Sequence, residues 1–362
     1  MENTEKQDIW ETRKFLLDCA ENFPKAQIVD YVKHLYQSEF GGEHMISDEG
    51  ASLRYLKEEM EHMTEKQRKK PYFFPLCGQF CRMNLSSGKV ISPEMMNRLF
   101  VVSSQRVPKA AWFALEEKLK LFLELCRENP DLFPFTPEEV EAYLKEYKEQ
   151  GYHAVHHSEE YRKAYEPAYR VILRAYSDYL PLYAAIENCL KEKGSVNVAI
   201  DGNSGAGKTS LAALLTTLFD CNVFHTDDFF LPLEKRTPER LEEVGGNMDR
   251  ERFREEVCEP VRAGKPFSYR SFDCSMMQLS EEIEVLPKQI NLFEGSYSMH
   301  PELQEYYDVT VFLSASPAEQ SNRILERNGG FMLRRFLEEW IPMENAYFEG
   351  MKIREACDLV FE

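Results

Sequence analysis

The chain has 362 residues, a formal net charge of −18 at pH 7 and 43% hydrophobic residues. This length predicts two domains, or one domain with a large extension. The strong negative charge argues against a nucleic-acid partner held by bulk charge, although a local basic pocket for ATP is compatible with it.

The N terminus is polar and acidic, unlike a signal peptide, and no apolar run approaches membrane-spanning length. Nine cysteines are scattered through apolar segments. Cys77 and Cys81 lie four residues apart, but no second Cys or His pair completes a zinc site. We therefore expect buried free thiols and a cytoplasmic protein without a membrane or nucleic-acid partner.

Residues 1–193 are predicted to form an all-helical domain of unknown role. Apolar residues recur at helical spacing, and typical start signals precede several segments. Ser92 is followed by Pro93, as at a helix N-terminus. Thr136 and Glu139 have the spacing of a capping box, and Gly151 is a plausible end of the same helix.

Two histidine-bearing segments interrupt this helical pattern. Glu43 and His44 follow a pair of glycines, and His156 and His157 precede a serine at a helix start. One hypothesis is a metal or small-ligand site that uses Glu43, His44 and either His156 or His157. The alternative is a glycine loop and a helix N-terminus with solvated histidines. We favour this alternative because the spacing of the histidines matches no pattern typical of metal sites.

A change of pattern near residue 193 predicts a second domain over 194–362. Short β-rich runs alternate here with helical segments, which favours a parallel sheet with helices on both faces. The predicted strands are Val196–Asp201, Asn222–Thr226, Gln289–Phe293, Val309–Leu313 and Asp358–Phe361. Ligands of such α/β sheets bind at the carboxyl ends of the strands.

The first of these strands leads into a phosphate-binding loop. The segment from Gly202 to Thr209 fits the pattern G-x-x-x-x-G-K-[ST] at every fixed position, and an apolar helical segment follows it. Glycines let the backbone wrap around phosphate oxygens, and the helix N-terminus attracts negative charge. The predicted nucleotide-binding residues are Gly202, Asn203, Ser204, Gly205, Ala206, Gly207, Lys208, Thr209 and Ser210.

Further charged residues follow the other strands. Lys208 is expected to bind the β- and γ-phosphates, and Thr209 to bind Mg²⁺ with Glu294 nearby. Asp227 and Asp228 follow the second strand, where a carboxylate could accept the proton of an attacking hydroxyl. The alternative is that both merely cap a turn.

Arg323 and Arg327 lie four residues apart after the capping box that begins at Ser316, so they share one face of a predicted helix. Two guanidinium groups on one face suit a lid that clamps phosphates during transfer. The alternative is a solvated face paired with Glu319 or Glu326.

Residues 195–362 resemble the uridine kinase / phosphoribulokinase group of P-loop kinases, whereas the N-terminal half resembles nothing that we recognise. The motifs that carry the resemblance are the phosphate loop, Thr226-Asp-Asp-Phe-Phe230, Asn247-Met-Asp249, Tyr269, Phe293-Glu-Gly295 and the Arg323/Arg327 helix. The resemblance implies the P-loop NTPase fold and an ATP- and Mg²⁺-dependent kinase of a small-molecule alcohol.

The resemblance also implies residue roles. Asp227 corresponds to the general base that accepts the hydroxyl proton, and Asp249 to the acid that holds sugar hydroxyls. Tyr269 corresponds to the tyrosine of the segment that binds the nucleobase. Asp228 and Arg270 complete our candidates for acceptor binding. Arg270 stands where uridine kinases usually have Asp, and the lid segment lacks the expected run of Arg and Asp, so the match is firm for phosphotransfer but not for uridine.

The leading hypothesis is a kinase of a nucleoside-like metabolite, with ATP and the acceptor as its partners. A second hypothesis is a kinase of another alcohol, such as a pantothenate-like compound or a sugar phosphate, for which Arg270 would supply the extra cation. A third is an ATP-driven switch with a helical sensor domain. The oligomeric state, including a homo-oligomer, is left open.

Overall fold

The computed structural model describes residues 2–42, 48–106, 111–273 and 276–362, without the side chains of residues 2–6. The chain divides into two compact units, 1–180 and 181–362. The predicted candidates Glu43 and His44 lie outside the described residues. None of the helices in the described ranges is long and apolar enough to cross a membrane.

The first unit is mainly helical, whereas the sequence predicted an all-helical domain over 1–193. Its helices are α1 (Glu2–Asn22), α2 (Ile28–Phe40), α3 (Glu49–Glu61), α4 (Glu65–Arg68), α5 (Pro93–Ser104), α6 (Ala111–Glu128), α7 (Pro137–Glu149) and α8 (Glu159–Tyr165). The hydroxyl of Ser92 accepts the N–H of Met95 and caps α5. Thr136 and Glu139 form the predicted capping box of α7. An aromatic core holds the helices together, in which Tyr31 stacks on Phe122.

A small antiparallel sheet, which the sequence did not predict, completes the first unit. Its strands pair in the order β1 (Phe73–Pro75), β2 (Phe80–Asn84), β3 (Tyr169–Leu173). The central strand β2 is buried at all five positions. A strand this short, with no exposed face, lacks the alternation of apolar and polar residues by which strands are predicted.

The second unit is an α/β structure. Its helices are α9 (Leu180–Lys193, which begins at the unit boundary), α10 (Lys208–Leu218), α11 (Pro238–Glu242), α12 (Arg250–Phe253), α13 (Glu259–Ala263), α14 (Pro317–Arg335), α15 (Ile341–Gly350) and α16 (Ile353–Ala356). Its strands are β4 (Val196–Gly202), β5 (Cys221–His225), β6 (Phe267–Asp273), β7 (Gln278–Val285), β8 (Ile290–Glu294), β9 (Val309–Leu313) and β10 (Leu359–Phe361).

Five of these strands form a parallel sheet in the order β10-β9-β4-β8-β5, flanked by helices. This sheet confirms the predicted fold class and the five predicted strands, with ends shifted by a residue or so. β8 and β9 are buried at every position, as expected of central strands covered on both faces. The antiparallel hairpin of β6 and β7 was not predicted.

Candidate active site

The candidate site lies where β4, β8 and β5 end side by side. In the parallel register Ile200 pairs with Glu294, and Glu294 pairs with His225. The turns that follow these three strands therefore emerge at the same edge of the sheet. They carry the phosphate loop, the segment after Glu294 and the two aspartates after His225.

The phosphate loop connects β4 to α10, as the motif requires. Gly202, Gly205 and Gly207 all have positive φ, at 138°, 75° and 103°. A Cβ atom on Gly202 would lie 2.0 Å from the carbonyl oxygen of Leu313. Glycine is therefore required at this position both by its backbone conformation and by the close approach of β9.

Lys208 begins α10 and folds back over its own loop. Its Nζ donates to the carbonyl oxygens of Gly202 at 2.7 Å and Asn203 at 3.2 Å, and to the hydroxyl of Ser296 at 3.2 Å. The ammonium group thus lies at the mouth of the loop. A nucleotide phosphate would exchange for these uncharged acceptors.

Thr209 and Glu294, the two residues predicted to hold Mg²⁺, are in contact. The Thr209 hydroxyl donates to Glu294 Oε1 at 3.1 Å, and His225 Nδ1 lies 2.5 Å from the same oxygen. The hydrogen bond to Glu294 raises the pKa of His225 above its ordinary value, although burial opposes the shift. A hydroxyl and a carboxylate fit Mg²⁺, which takes few protein oxygens and completes its shell with phosphates and water. Among the described residues no cluster of three or more His, Cys, Asp or Glu side chains suits a metal ion.

Asp227 and Asp228 lie in a short 3-10 turn, Thr226–Phe229, directly after β5. No side chain caps this turn. Asp227 is exposed at the edge of the sheet. Partial desolvation raises its pKa, the positive charge of Lys208 opposes the shift, and the negative charge of Glu294 adds to it. The charges of Lys208 and Glu294 therefore both act on the carboxyl group of Asp227.

The candidate acceptor-binding residues differ in burial and in their contacts. Asp249 is fully buried, pairs with Lys235 Nζ at 2.9 Å and accepts the N–H of Arg252 at the start of α12. Tyr269 packs on Phe229, with ring centroids 5.6 Å apart, and burial raises its pKa to about 12. Arg270 points to the opposite side of β6, because neighbouring residues of a strand alternate.

Arg270 is held on that side by the next strand. Its guanidinium donates to the carbonyl oxygens of Ser280 at 2.5 Å and Leu279 at 3.2 Å. Tyr269 is buried, whereas Arg270 is exposed. The two side chains therefore lie on opposite sides of β6.

The two lid arginines also differ in position. Arg323 Nη1 donates to the carbonyl oxygen of Gly205 in the phosphate loop at 3.2 Å. Arg327 is one turn further along α14 and donates to its neighbour Asn328. Gly329 interrupts α14 with a φ of 78°. Arg323 therefore lies at the loop, whereas Arg327 lies beside the interruption of the helix.

The sequence analysis missed further residues of the site, chiefly Asp201, Glu344 and Tyr347. Buried Asp201 accepts hydrogen bonds from the N–H groups of Gly202 and Met299 and from the Tyr347 hydroxyl, at 2.7, 2.9 and 2.9 Å. Glu344 accepts hydrogen bonds from Ser204 and Ser296. Glu344 and Tyr347 lie about 140 residues beyond the loop in the sequence. No local motif marks them, so only the folded chain reveals them.

His157, in the first unit, is buried rather than solvated. Its Nδ1–H donates to Asp30 at 2.7 Å, and its Nε2 accepts the Tyr169 hydroxyl at 2.8 Å. Burial, and then the positive charge of Arg82, hold the pKa of His157 well below its usual range. Both ring nitrogens are thus used within the protein, while His156 is exposed. The predicted site with Glu43 and His44 involves residues outside the described ranges.

The comparisons with known proteins find structural likeness for about half of the chain. The chain is similar to a possible uridine kinase from Bacillus stearothermophilus, with 21% identity and a TM-score of 0.38, over 50% of this chain and 99% of that chain. It is similar to a candidate fructose transport system kinase from Silicibacter sp. TM1040, with 23% identity and a TM-score of 0.39, over 48% and 92%.

A third likeness is to TT1252 from Thermus thermophilus, with 20% identity and a TM-score of 0.26, over 46% of this chain and 87% of that chain. These matches leave the N-terminal half uncovered. No protein-family model and no curated protein sequence matches the chain.

Proposed function

We propose that residues 194–362 form an ATP- and Mg²⁺-dependent kinase domain that phosphorylates a hydroxyl group of an unphosphorylated, nucleoside-like small molecule. One observation carries this proposal. An exposed carboxylate, Asp227, lies at the same edge of the sheet as the phosphate-loop lysine and the Thr209–Glu294 pair. A nucleotide switch needs no such acceptor base.

In the proposed reaction Lys208 leaves its carbonyl partners and binds the transferring phosphoryl group. Thr209 and Glu294 would hold Mg²⁺, which neutralises charge on the β- and γ-phosphates when it is bound. Asp227 accepts the proton of the attacking hydroxyl, or orients that hydroxyl if transfer is largely dissociative. Arg323 lies where it can stabilise the phosphates beside the loop.

The surroundings of Asp227 support an acceptor without a phosphate. The cation that a sugar phosphate would need, Arg270, is bound to β7 on the far side of β6. The side chains around Asp227 include a second carboxylate, Asp228, whose pKa is also raised by partial desolvation. Acidic groups repel a phosphorylated acceptor and suit neutral hydroxyls.

The eight cysteines that the structure describes are all free thiols, which supports our proposal of a reducing, cytoplasmic location.

The test is acceptor-dependent release of ADP from Mg²⁺-ATP across nucleosides, pantothenate and sugar phosphates. We expect a nucleoside to stimulate turnover, Lys208→Ala to abolish it, and Asp227→Asn to lower it by about a hundredfold while ADP still binds. Asp220→Asn, an exposed change of the same charge in the same unit, serves as the control. A sugar phosphate as the best acceptor, or ADP release that no acceptor alters, would refute the proposal.

A further inference from the structure

Glu344 is a buried carboxylate beside the phosphate loop. It lies on α15, is 4% exposed, and contacts two segments of the site. Its Oε1 accepts the hydroxyls of Ser204 at 2.6 Å and Ser296 at 2.7 Å, while Oε2 accepts the N–H of Ser204 at 3.0 Å. A buried acid at a loop built to bind anions is unexpected, because its charge repels the ligand.

These hydrogen bonds fix the direction of the serine hydroxyls. Each hydroxyl has one proton, and both serines donate it to the same carboxylate oxygen of Glu344. Ser296 therefore donates to Glu344 and presents only lone pairs to its other neighbour. That neighbour is Lys208, whose Nζ donates to Ser296 Oγ at 3.2 Å. The chain Lys208–Ser296–Glu344 thus connects the loop cation to the buried anion.

A second helix, α14, also contacts the phosphate loop. Arg323, on α14, donates to the carbonyl oxygen of Gly205, the residue that follows Ser204. Two successive loop residues are therefore held through their backbones. Glu344 accepts the N–H of Ser204, and Arg323 donates to the carbonyl oxygen of Gly205. The negative charge of Glu344 also contributes to the raised pKa of Asp227, so its field reaches the position of phosphoryl transfer.

We propose that Glu344 is a positioning residue that keeps Lys208 docked on Ser296 in the nucleotide-free loop and weakens the binding of nucleotide phosphates. The inference rests on the proposed nucleotide site, but not on the identity of the acceptor. ADP must displace Lys208 from an acceptor that Glu344 orients, and must do so beside a buried negative charge. Product ADP consequently leaves more readily than it would from a loop without this carboxylate.

The experiment measures the Kd of Mg²⁺-ADP, by calorimetry or with a fluorescent ADP analogue, and needs no acceptor. Glu344→Gln keeps the shape of the side chain and removes its charge. We expect it to bind ADP about tenfold more tightly, because a nearby buried charge is weakly screened. Glu349→Gln, an exposed change of the same charge on the same helix, is the matched control and should leave Kd unchanged.

The direction of the change separates this role from a purely structural one. Loss of a structural anchor loosens the loop and weakens ADP binding. An unchanged or higher Kd in Glu344→Gln would therefore overturn the inference. If that variant does not fold, Ser296→Ala tests the same relay, since it frees Lys208, and an unchanged or higher Kd would again overturn it. Failure of the wild-type protein to bind Mg²⁺-ADP would instead refute the proposed function itself.

Discussion

Asp201 shows how one side chain is constrained by its surroundings. It is fully buried at the end of β4, next to the phosphate loop, and accepts three hydrogen bonds. Burial nevertheless raises its pKa from 3.8 to about 6, and the positive charge of Lys208 opposes the shift. The carboxylate is therefore ionised at neutral pH at a cost in folding free energy, and its three donors fix the start of the loop.

This pKa shift predicts a pH dependence of stability. The folded chain binds the proton of Asp201 more tightly than the unfolded chain, so the contribution of Asp201 is fully present at low pH and is lost as the pH rises through about 6. Between pH 5 and pH 7 the wild type should lose about 1 kcal/mol of unfolding free energy relative to Asp201→Asn. Urea unfolding of both proteins measures the difference, and a difference that stays flat or grows in favour of the wild type contradicts the prediction.

The element at the centre of the site is the strand–loop–helix unit from β4 to α10. β4 pairs with β8 on one side and β9 on the other. The close approach of Leu313 in β9 leaves no room for a side chain at Gly202. The conformation of the predicted phosphate loop and the pairing at the centre of the sheet consequently depend on the same glycine.

Gly202→Ala should therefore disrupt both the sheet and the proposed nucleotide site. Gly194→Ala is the matched control, since Gly194 also has positive φ, at 76°, but open space around it. The control should lose about 1–2 kcal/mol of unfolding free energy, because alanine is strained in the left-handed backbone conformation. Gly202→Ala should lose clearly more, because backbone atoms of β9 must move. Thermal unfolding compares the two variants, and equal losses would show that the contact with Leu313 is unimportant.

At the scale of the whole molecule, the chain consists of two compact units. The second unit has its own core, in which Phe293, Phe253 and Tyr347 are fully buried. Sequence patterns place the domain boundary at 193/194, whereas contacts divide the chain after Leu180. The two boundaries differ by the helix α9, whose contacts group it with the second unit.

Two fragments distinguish these boundaries. We expect 181–362 to fold cooperatively and bind Mg²⁺-ADP, because it keeps α9 with the unit it contacts. The shorter fragment 194–362 should have a lower melting temperature. Circular dichroism melts, with ADP binding as the check of native structure, provide the comparison. Equal stability of the two fragments would favour the boundary at 193/194.

The sequence by itself determined the features that depend on residues close together in the chain. The phosphate loop, the five parallel strands and the helix caps of Ser92, Thr136 and Ser316 depend on residues a few positions apart, and all of them are present in the structure. Period and capping chemistry act over one or two turns, so they can be predicted from a single chain. The small sheet of the first unit and the hairpin of β6 and β7 have weaker local patterns and were missed.

Only the tertiary structure decided which charged side chains meet. Glu344 reaches Ser204 across about 140 residues, and Asp249 is paired with Lys235. Tyr269 and Arg270 are neighbours in the sequence but lie on opposite sides of β6. Such contacts follow from sheet order and helix packing, which bring distant residues together without a short-range pattern. Consequently the strand, loop and helix around the phosphate-loop motif could be predicted from sequence, whereas the contacts of Asp249, Tyr269 and Arg270 could not.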